Sequence, residues 1–245
     1  MKIKLESKNY IDLHLLDQEI RDVVLIFPGG GYERTSSREA EPVRDVFLKE
    51  GYHTAIYYYR EEKLIYPQIN IEGQKAIEIL KNNPFIRKIF LIGFSAGGHF
   101  AIMLASLYPE LIQGTILAYP VVSSDKTIYH GGSMRNLLGT NLTEETWEAV
   151  SIEKQVNSKM SPVFIMHTMD DSSVPVENSI RLIQALNKHQ IYTESHFYPK
   201  GNHGVSLATK EVSFEEMNPD EFVEKFGYIS SWIHLAKDFL RRIKS

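Results

Sequence analysis

Lys88-Ile89-Phe90-Leu91-Ile92-Gly93-Phe94-Ser95-Ala96-Gly97-Gly98-His99 is the stretch that decides how this chain reads. A short apolar run stops abruptly in G-x-S-x-G, and a helix-like apolar pattern follows from Phe100 to Tyr108. That order places one serine on a tight strand-to-helix turn, its hydroxyl lifted clear of a sheet. Gly93 and Gly97 flank Ser95 where backbone crowding leaves little room for a Cβ. The spacing makes Ser95 a candidate nucleophile, and the flanking strand and helix supply the context the motif needs.

Outward from this turn, apolar runs alternate with helical patterns. Val23–Phe27 reads as a buried strand ending at Pro28-Gly29-Gly30-Gly31, and Arg38–Glu50 as a helix opened by a capping box of Ser36 and Glu39. Thr54–Tyr59 is a strand rich in β-formers, and Gln68–Asn82 a helix by its apolar spacing. Strands are expected at Ile89–Ile92, Thr115–Tyr119, Val163–His167 and Thr193–Tyr198, with a helix over Val176–His189. A short helix capped by Asn218, with Pro219 and Glu221 in its first turn, precedes a last helix from about Tyr228 to Ile243. Such alternation implies βαβ units and a mostly parallel sheet covered on both faces. Residues 121–161 fall outside it, as an insertion over the strand ends where open α/β sheets bind ligands; a small lid and an ordinary long crossover are both compatible.

Composition narrows the class. The chain has 245 residues, 43% hydrophobic and 24% charged, as a single soluble globular domain would. A net charge of −4 disfavours a nucleic-acid surface, and the basic Arg241, Arg242 and Lys244 fit a helix end favoured by its dipole. There are no cysteines, which removes disulfides, cysteine nucleophiles and thiolate metal sites and suits a reducing cytoplasm. No run approaches membrane-spanning length, and the first residues carry no signal-peptide core, so a cytoplasmic location is expected.

A serine hydroxyl needs a base to take its proton and a carboxylate to orient that base. On this topology the order is serine, acid, histidine, each just after a strand. After the strand Val163–His167 comes Thr168-Met169-Asp170-Asp171, and after Thr193–Tyr198 comes Pro199-Lys200-Gly201-Asn202-His203-Gly204. Of the nine histidines, His203 alone follows a strand in a glycine-flanked loop. His167 lies within a strand pattern and reads as structural, and His99 as a local packing or hydrogen-bonding residue. Either Asp170 or Asp171 can serve as the acid. The glycine loop and the residue after the nucleophile supply candidate oxyanion donors in the N–H groups of Gly30, Gly31 and Ala96. No Lys-Ser/Thr follows those glycines, which disfavours a phosphate-binding loop.

With these residues in place the chain resembles an α/β-hydrolase esterase, nearest to the hormone-sensitive-lipase-like branch that includes bacterial acetyl esterases and acetylxylan esterases. P-G-G-G-Y at 28–32, Y-Y-R at 58–60, G-F-S-A-G-G-H at 93–99, Y-P-V at 119–121, H-T-M-D-D-S-S-V-P-V-E-N-S at 167–179 and G-N-H-G at 201–204 carry the match in the family's order. Pro28 stands where the branch signature usually has histidine, which is closer to small acetyl-ester and sugar-ester enzymes. The resemblance implies an α/β-hydrolase fold and hydrolysis of short-acyl, acetyl-type esters, with xylan fragments and acetylated sugars among the substrates. It prefers Asp171 over Asp170, as the aspartate before x-x-Val-Pro, and implies no metal or organic cofactor. It also places Tyr32, Tyr119 and the 121–161 insertion around the acyl and alcohol pockets, although Tyr32 serves equally well as a packing aromatic.

Three other readings compete. Prolyl-oligopeptidase-type peptidases share the D-x-x-V-P and G-x-H-G pieces, though nothing here supplies an obvious anchor for a peptide amine. A small-amide hydrolase of the arylformamidase kind is a second. A non-catalytic binding module is the third, disfavoured because all three triad candidates are present.

Overall fold

The computed structural model describes residues 1–244. The chain opens with strands β1 (Lys2–Lys4), β2 (Tyr10–His14) and β3 (Arg21–Phe27), then helix α1 (Glu41–Lys49) and strand β4 (His53–Tyr58). Helix α2 (Gln68–Lys81), strand β5 (Ile86–Phe94), helix α3 (Ala96–Leu107) and strand β6 (Gly114–Ala118) follow. Helices α4 (Gly131–Leu138), α5 (Glu144–Ala149) and α6 (Ile152–Gln155) fill the insertion before strand β7 (Val163–Thr168). Helix α7 (Glu177–Lys188), strand β8 (Thr193–Tyr198), α8 (Pro219–Phe226) and α9 (Ser231–Ile243) complete the chain.

The strands form one eight-stranded sheet in the order β1-β2-β4-β3-β5-β6-β7-β8. The pairs β1–β2 and β2–β4 are antiparallel, and every other pair is parallel, as in the α/β-hydrolase fold. Connections run outward from β3 to β4 and then return across it to β5. Their C-terminal ends therefore bound the crevice at the switch point, where this architecture binds ligands.

Central strands are apolar on both faces because helices cover both. Alternate residues enter different cores: Val23, Leu25, Phe27 and Leu91 join one, whereas Val24, Ile26, Phe90 and Ile92 join the other. The first core is covered by α2, α3, α7 and the insertion, and the second by α1, α8 and α9. Met134, Leu137, Leu138, Val150 and Ile152 are fully buried, so the insertion is part of the molecule's main core. Among the described residues, no helix is long and apolar enough to cross a membrane.

Several boundaries depart from expectation. Helix α3 starts at Ala96, directly after the nucleophile candidate, because Ala96-Gly97-Gly98 carries no amphipathic pattern to announce it. Ser36 and Glu39 form no capping box; a 3-10 turn spans Ser37–Glu39 and α1 begins after Ala40 with no side-chain cap. The last helix is preceded by a separate 3-10 turn over Gly227–Ser230.

The turn at Ser95 is held by backbone crowding. A Cβ on Gly97 would run into the carbonyl oxygens of Phe27 and Pro28, the second at 2.5 Å, and one on Gly93 would lie 2.5 Å from the carbonyl oxygen of Gly97. Ser95 itself is forced to φ 52°, ψ −122°. Gly97→Ala is expected to lower the unfolding free energy by about 1–3 kcal/mol in denaturant melts, since the obstacle is main chain that cannot step aside; an unchanged midpoint would refute this account of the turn.

Candidate active site

Ser95 is fastened at both of its backbone groups. Its N–H donates to the Ala118 carbonyl at 3.0 Å, and its carbonyl accepts from His99 and Val121, each at 3.1 Å. The side chain lies at the end of β5, facing the crevice. His203 Nε2 is 2.8 Å from Ser95 Oγ, and His203 Nδ1 is 2.7 Å from Asp171 Oδ2. With Asp171 ionised, Nδ1–H must donate to the carboxylate, which leaves Nε2 to accept from the serine hydroxyl. Ser95, His203 and Asp171 are thus brought into one hydrogen-bonded line.

The two adjacent aspartates divide. Asp171 Oδ1 accepts from the N–H groups of Ser173 and Val174, both at 2.9 Å, while Asp170 Oδ1 accepts from Gly201 N at 2.7 Å. Thr168 Oγ1 donates to the Gly201 carbonyl at 2.8 Å, so the loop carrying His203 is pinned on both sides of Gly201. His167, expected to be structural, adds a second imidazole to the acid. Its Nε2 is 3.0 Å from the Val174 carbonyl and 3.3 Å from Asp171 Oδ2, and its Nδ1 meets Ser179 Oγ at 2.8 Å.

Burial raises the affinity of Asp171 for a proton, but the hydrogen bonds from His167 and His203 outweigh it and hold the carboxyl well below its ordinary 3.8. A depressed folded-state value means that the contribution is complete above the ordinary value and is lost as pH falls through the lower one. The stability gap between wild type and Asp171→Asn is therefore expected to narrow when melts taken near neutrality are repeated below about pH 4. A gap independent of pH would refute this.

Beside Ser95, Gly30 holds φ 125°, and a Cβ there would strike the backbone of Arg34. The tight turn is closed by Glu33 N and Arg34 N, which donate to the Gly30 carbonyl at 2.9 and 3.2 Å. Tyr59 OH donates to the Pro28 carbonyl at 2.6 Å, and Asn136 Nδ2 to that of Gly31 at 2.9 Å. The N–H groups of Gly30, Gly31 and Ala96 donate to no acceptor among the described residues. Ala96 N also stands at the first turn of α3, where helix N–H groups are free and favour negative charge.

These groups meet at a cleft of about 250 Å³. Glycines 30, 31 and 204 form part of its wall; the rest is polar, from Ser95, His203, Glu39, His130, Ser173, Arg34, Ser36 and Arg38. No apolar side chain lines it among the described residues. Nor is any group of three or more His, Asp or Glu side chains among the described residues arranged to hold a metal ion.

Tyr32 and Tyr119, expected to line the pockets, are enclosed instead, with relative exposures of 0% and 1%. Tyr32 packs edge-on against Tyr59 and bonds His99 Nδ1 through its hydroxyl at 2.8 Å; that histidine's other nitrogen meets the Val150 carbonyl at 2.8 Å. Burial pushes His99 down to about 4, a neutral structural imidazole. Tyr119 lies edge-to-face on His203, with ring centroids 5.0 Å apart, and supports the imidazole rather than a ligand.

Glu39 is the residue that sequence reading misassigned. Its buried carboxylate accepts from Gly29 N at 2.8 Å through Oε2 and from Tyr119 OH at 2.6 Å through Oε1. Tyr119 OH in turn accepts from Ser206 N at 3.0 Å. One side chain thereby joins the glycine loop to the segment after His203. The neighbouring Arg38 clamps that segment by donating to the carbonyls of Gly204, Val212 and Ser213. Glu39→Gln puts an amide N–H₂ against one of the two donors and is expected to cost about 1–3 kcal/mol of stability in denaturant melts; a loss below about 0.5 kcal/mol would mean that the bonds to Gly29 and Tyr119 contribute little.

Comparison with known proteins bears on the family and the fold. The model of the prolyl oligopeptidase family matches residues 70–226, a span that contains Ser95, Asp171 and His203. Endo-1,4-beta-xylanase B of Butyrivibrio fibrisolvens is 33% identical over 219 residues, covering 80% of this chain and 34% of that protein. Acetylxylan esterase of Xylanibacter ruminicola is 28% identical over 197 residues, 74% of this chain and 40% of that one. The chain thus spans between a third and two fifths of the length of these relatives. The acetyl ester-xyloside bifunctional hydrolase from Caldicellulosiruptor lactoaceticus superposes with a TM-score of 0.83 at 29% identity, over 96% of this chain and 88% of that one. An elbow serine on this sheet order, within a segment matched over more than half of its length, identifies the chain as a member of the prolyl oligopeptidase family, serine hydrolases built on the α/β-hydrolase fold.

Proposed function

We propose that this protein hydrolyses carboxylic esters with a short, acetyl-type acyl group carried on a hydrophilic alcohol such as a sugar or xylan fragment. The observation that carries this reading is the Ser95–His203–Asp171 line, opening on a cleft that Gly30 and Gly31 line and no apolar side chain does. A long acyl chain needs apolar surface to leave water, and an acetyl group does not. The acetylxylan esterase and the acetyl ester-xyloside hydrolase named above support the acetyl and sugar parts of this reading.

In the proposed reaction Ser95 Oγ attacks the ester carbonyl carbon while its proton passes to His203 Nε2. The carbonyl π pair moves onto oxygen, where the N–H groups of Gly30, Gly31 and Ala96 receive it, each donor contributing about 3–4 kcal/mol to the transition state. Asp171 holds the imidazole's orientation and balances its positive charge. Collapse breaks the bond to the alcohol oxygen, which takes the proton from Nε2 and leaves an acyl-serine. Water then adds to the acyl carbon, its proton going to His203, and the acid departs as Ser95 recovers its hydrogen.

Ser95→Ala is expected to lower kcat/KM on p-nitrophenyl acetate by at least about a thousandfold and to abolish labelling by a fluorophosphonate. Asp171→Asn should cost about 10⁴ in kcat, as the wrong tautomer of His203 is then stabilised, and Asp170→Asn far less because it touches only the loop. Equal rates for wild type and Ser95→Ala would overturn the proposal. The family match gives amide hydrolysis as the second reading, and faster turnover of acetylated peptide anilides than of acetyl esters would favour it.

A further inference from the structure

His130 lies in the insertion, at the N-cap of α4, and lines the cleft together with Ser95 and His203. The N–H of Ser133 reaches His130 Nδ1 at 3.2 Å, and Ser133 Oγ lies 2.8 Å from the same nitrogen. A backbone N–H can only donate, so Nδ1 carries the lone pair and the ring proton sits on Nε2. That Nε2 has no acceptor among the described residues, although the ring is half-buried at the cleft.

Burial, with Arg135 adding its positive charge, holds His130 below its ordinary value against the opposing pull of Asp171. The ring is therefore a neutral donor near pH 7, suited to an uncharged oxygen and not to a second round of proton transfer. Its place relative to the reacting carbon is set by the same short helix. Asn136, in α4, donates to the Gly31 carbonyl at 2.9 Å, and a Cβ on Gly31 would lie 3.9 Å from His130 Cε1. The oxyanion loop and His130 are thus fixed to one element, so a contact made by His130 is registered on the bond being cleaved.

We propose that His130 is a specificity-determining residue that donates from Nε2 to a hydroxyl or ring oxygen on the alcohol half of an acetylated sugar. This rests on the ester-hydrolase reading above. Ser173 and Ser36, which line the same cleft, offer further hydroxyls to such an alcohol. An aryl alcohol without oxygen substituents gives His130 nothing to bind.

Two substitutions separate the cleft donor from the helix cap. His130→Asn keeps an acceptor for Ser133 N, since asparagine is a preferred N-cap, but is too short to present a donor at the position of Nε2. His130→Gln reaches that position and sacrifices the cap. The readout is the ratio of kcat/KM on mono-O-acetylxylose to that on p-nitrophenyl acetate, with Ser95→Ala assayed in parallel. The ratio is expected to fall about tenfold in His130→Asn, through KM, and to recover at least half of that loss in His130→Gln. A ratio unchanged in His130→Asn, or one that falls only in His130→Gln, overturns the assignment while leaving Ser95-dependent hydrolysis standing. Turnover that survives Ser95→Ala, or is absent in wild type, overturns the ester reading and this inference together.

Discussion

At the C-terminal ends of β3 and β5 two backbones touch with no side chain between them. Gly97 lies against the carbonyls of Phe27 and Pro28, and Gly29 so close to Phe94 that a Cβ would come 2.9 Å from its carbonyl oxygen. Everything else about the site follows from that approach. It forces the φ of Ser95 positive, starts α3 immediately afterward and brings the Gly30–Gly31 turn alongside the serine. Widening the gap by one methyl group would separate Ser95 from the Gly30–Gly31 turn.

Around this contact polar side chains hold the loops. Asp170 and Thr168 grip Gly201, Arg38 grips Gly204 and the turn beyond it, and Glu39 ties Gly29 to Tyr119 and, through it, to Ser206. Asp171 takes two imidazoles and two backbone N–H groups, which keeps a buried carboxylate charged without a cation in contact. Loops pinned in this way leave little to rearrange around Ser95 and His203.

The insertion between β6 and β7 contributes more than cover. Asn136 braces Gly31, and His130 faces the same cleft as Ser95. The side chains lining the cleft are consequently carried by different parts of the chain. Most belong to the strand ends, and His130 to a helical segment whose apolar residues pack into the core.

Much of this was legible in one dimension, because strand-end loops keep their chemistry next to their strand. The G-x-S-x-G turn, the glycine run after β3 and the loops after β7 and β8 announce themselves by local composition. What the sequence hid were short or unpatterned elements and contacts between distant segments. The β1–β2 hairpin is brief and carries polar residues, and it exists because β2 pairs with β4. Glu39 mimics a helix cap locally, yet its partners are ten and eighty positions away. Tyr32 and Tyr119 look like pocket aromatics until packing encloses them. The sequence by itself announced Ser95, the aspartate pair and His203 and the order in which the sheet presents them, since both depend on local spacing. Only the tertiary structure decided which buried acid braces the loops and which histidine of the insertion reaches the cleft. Those are questions of distance through space, on which spacing along the chain has no hold.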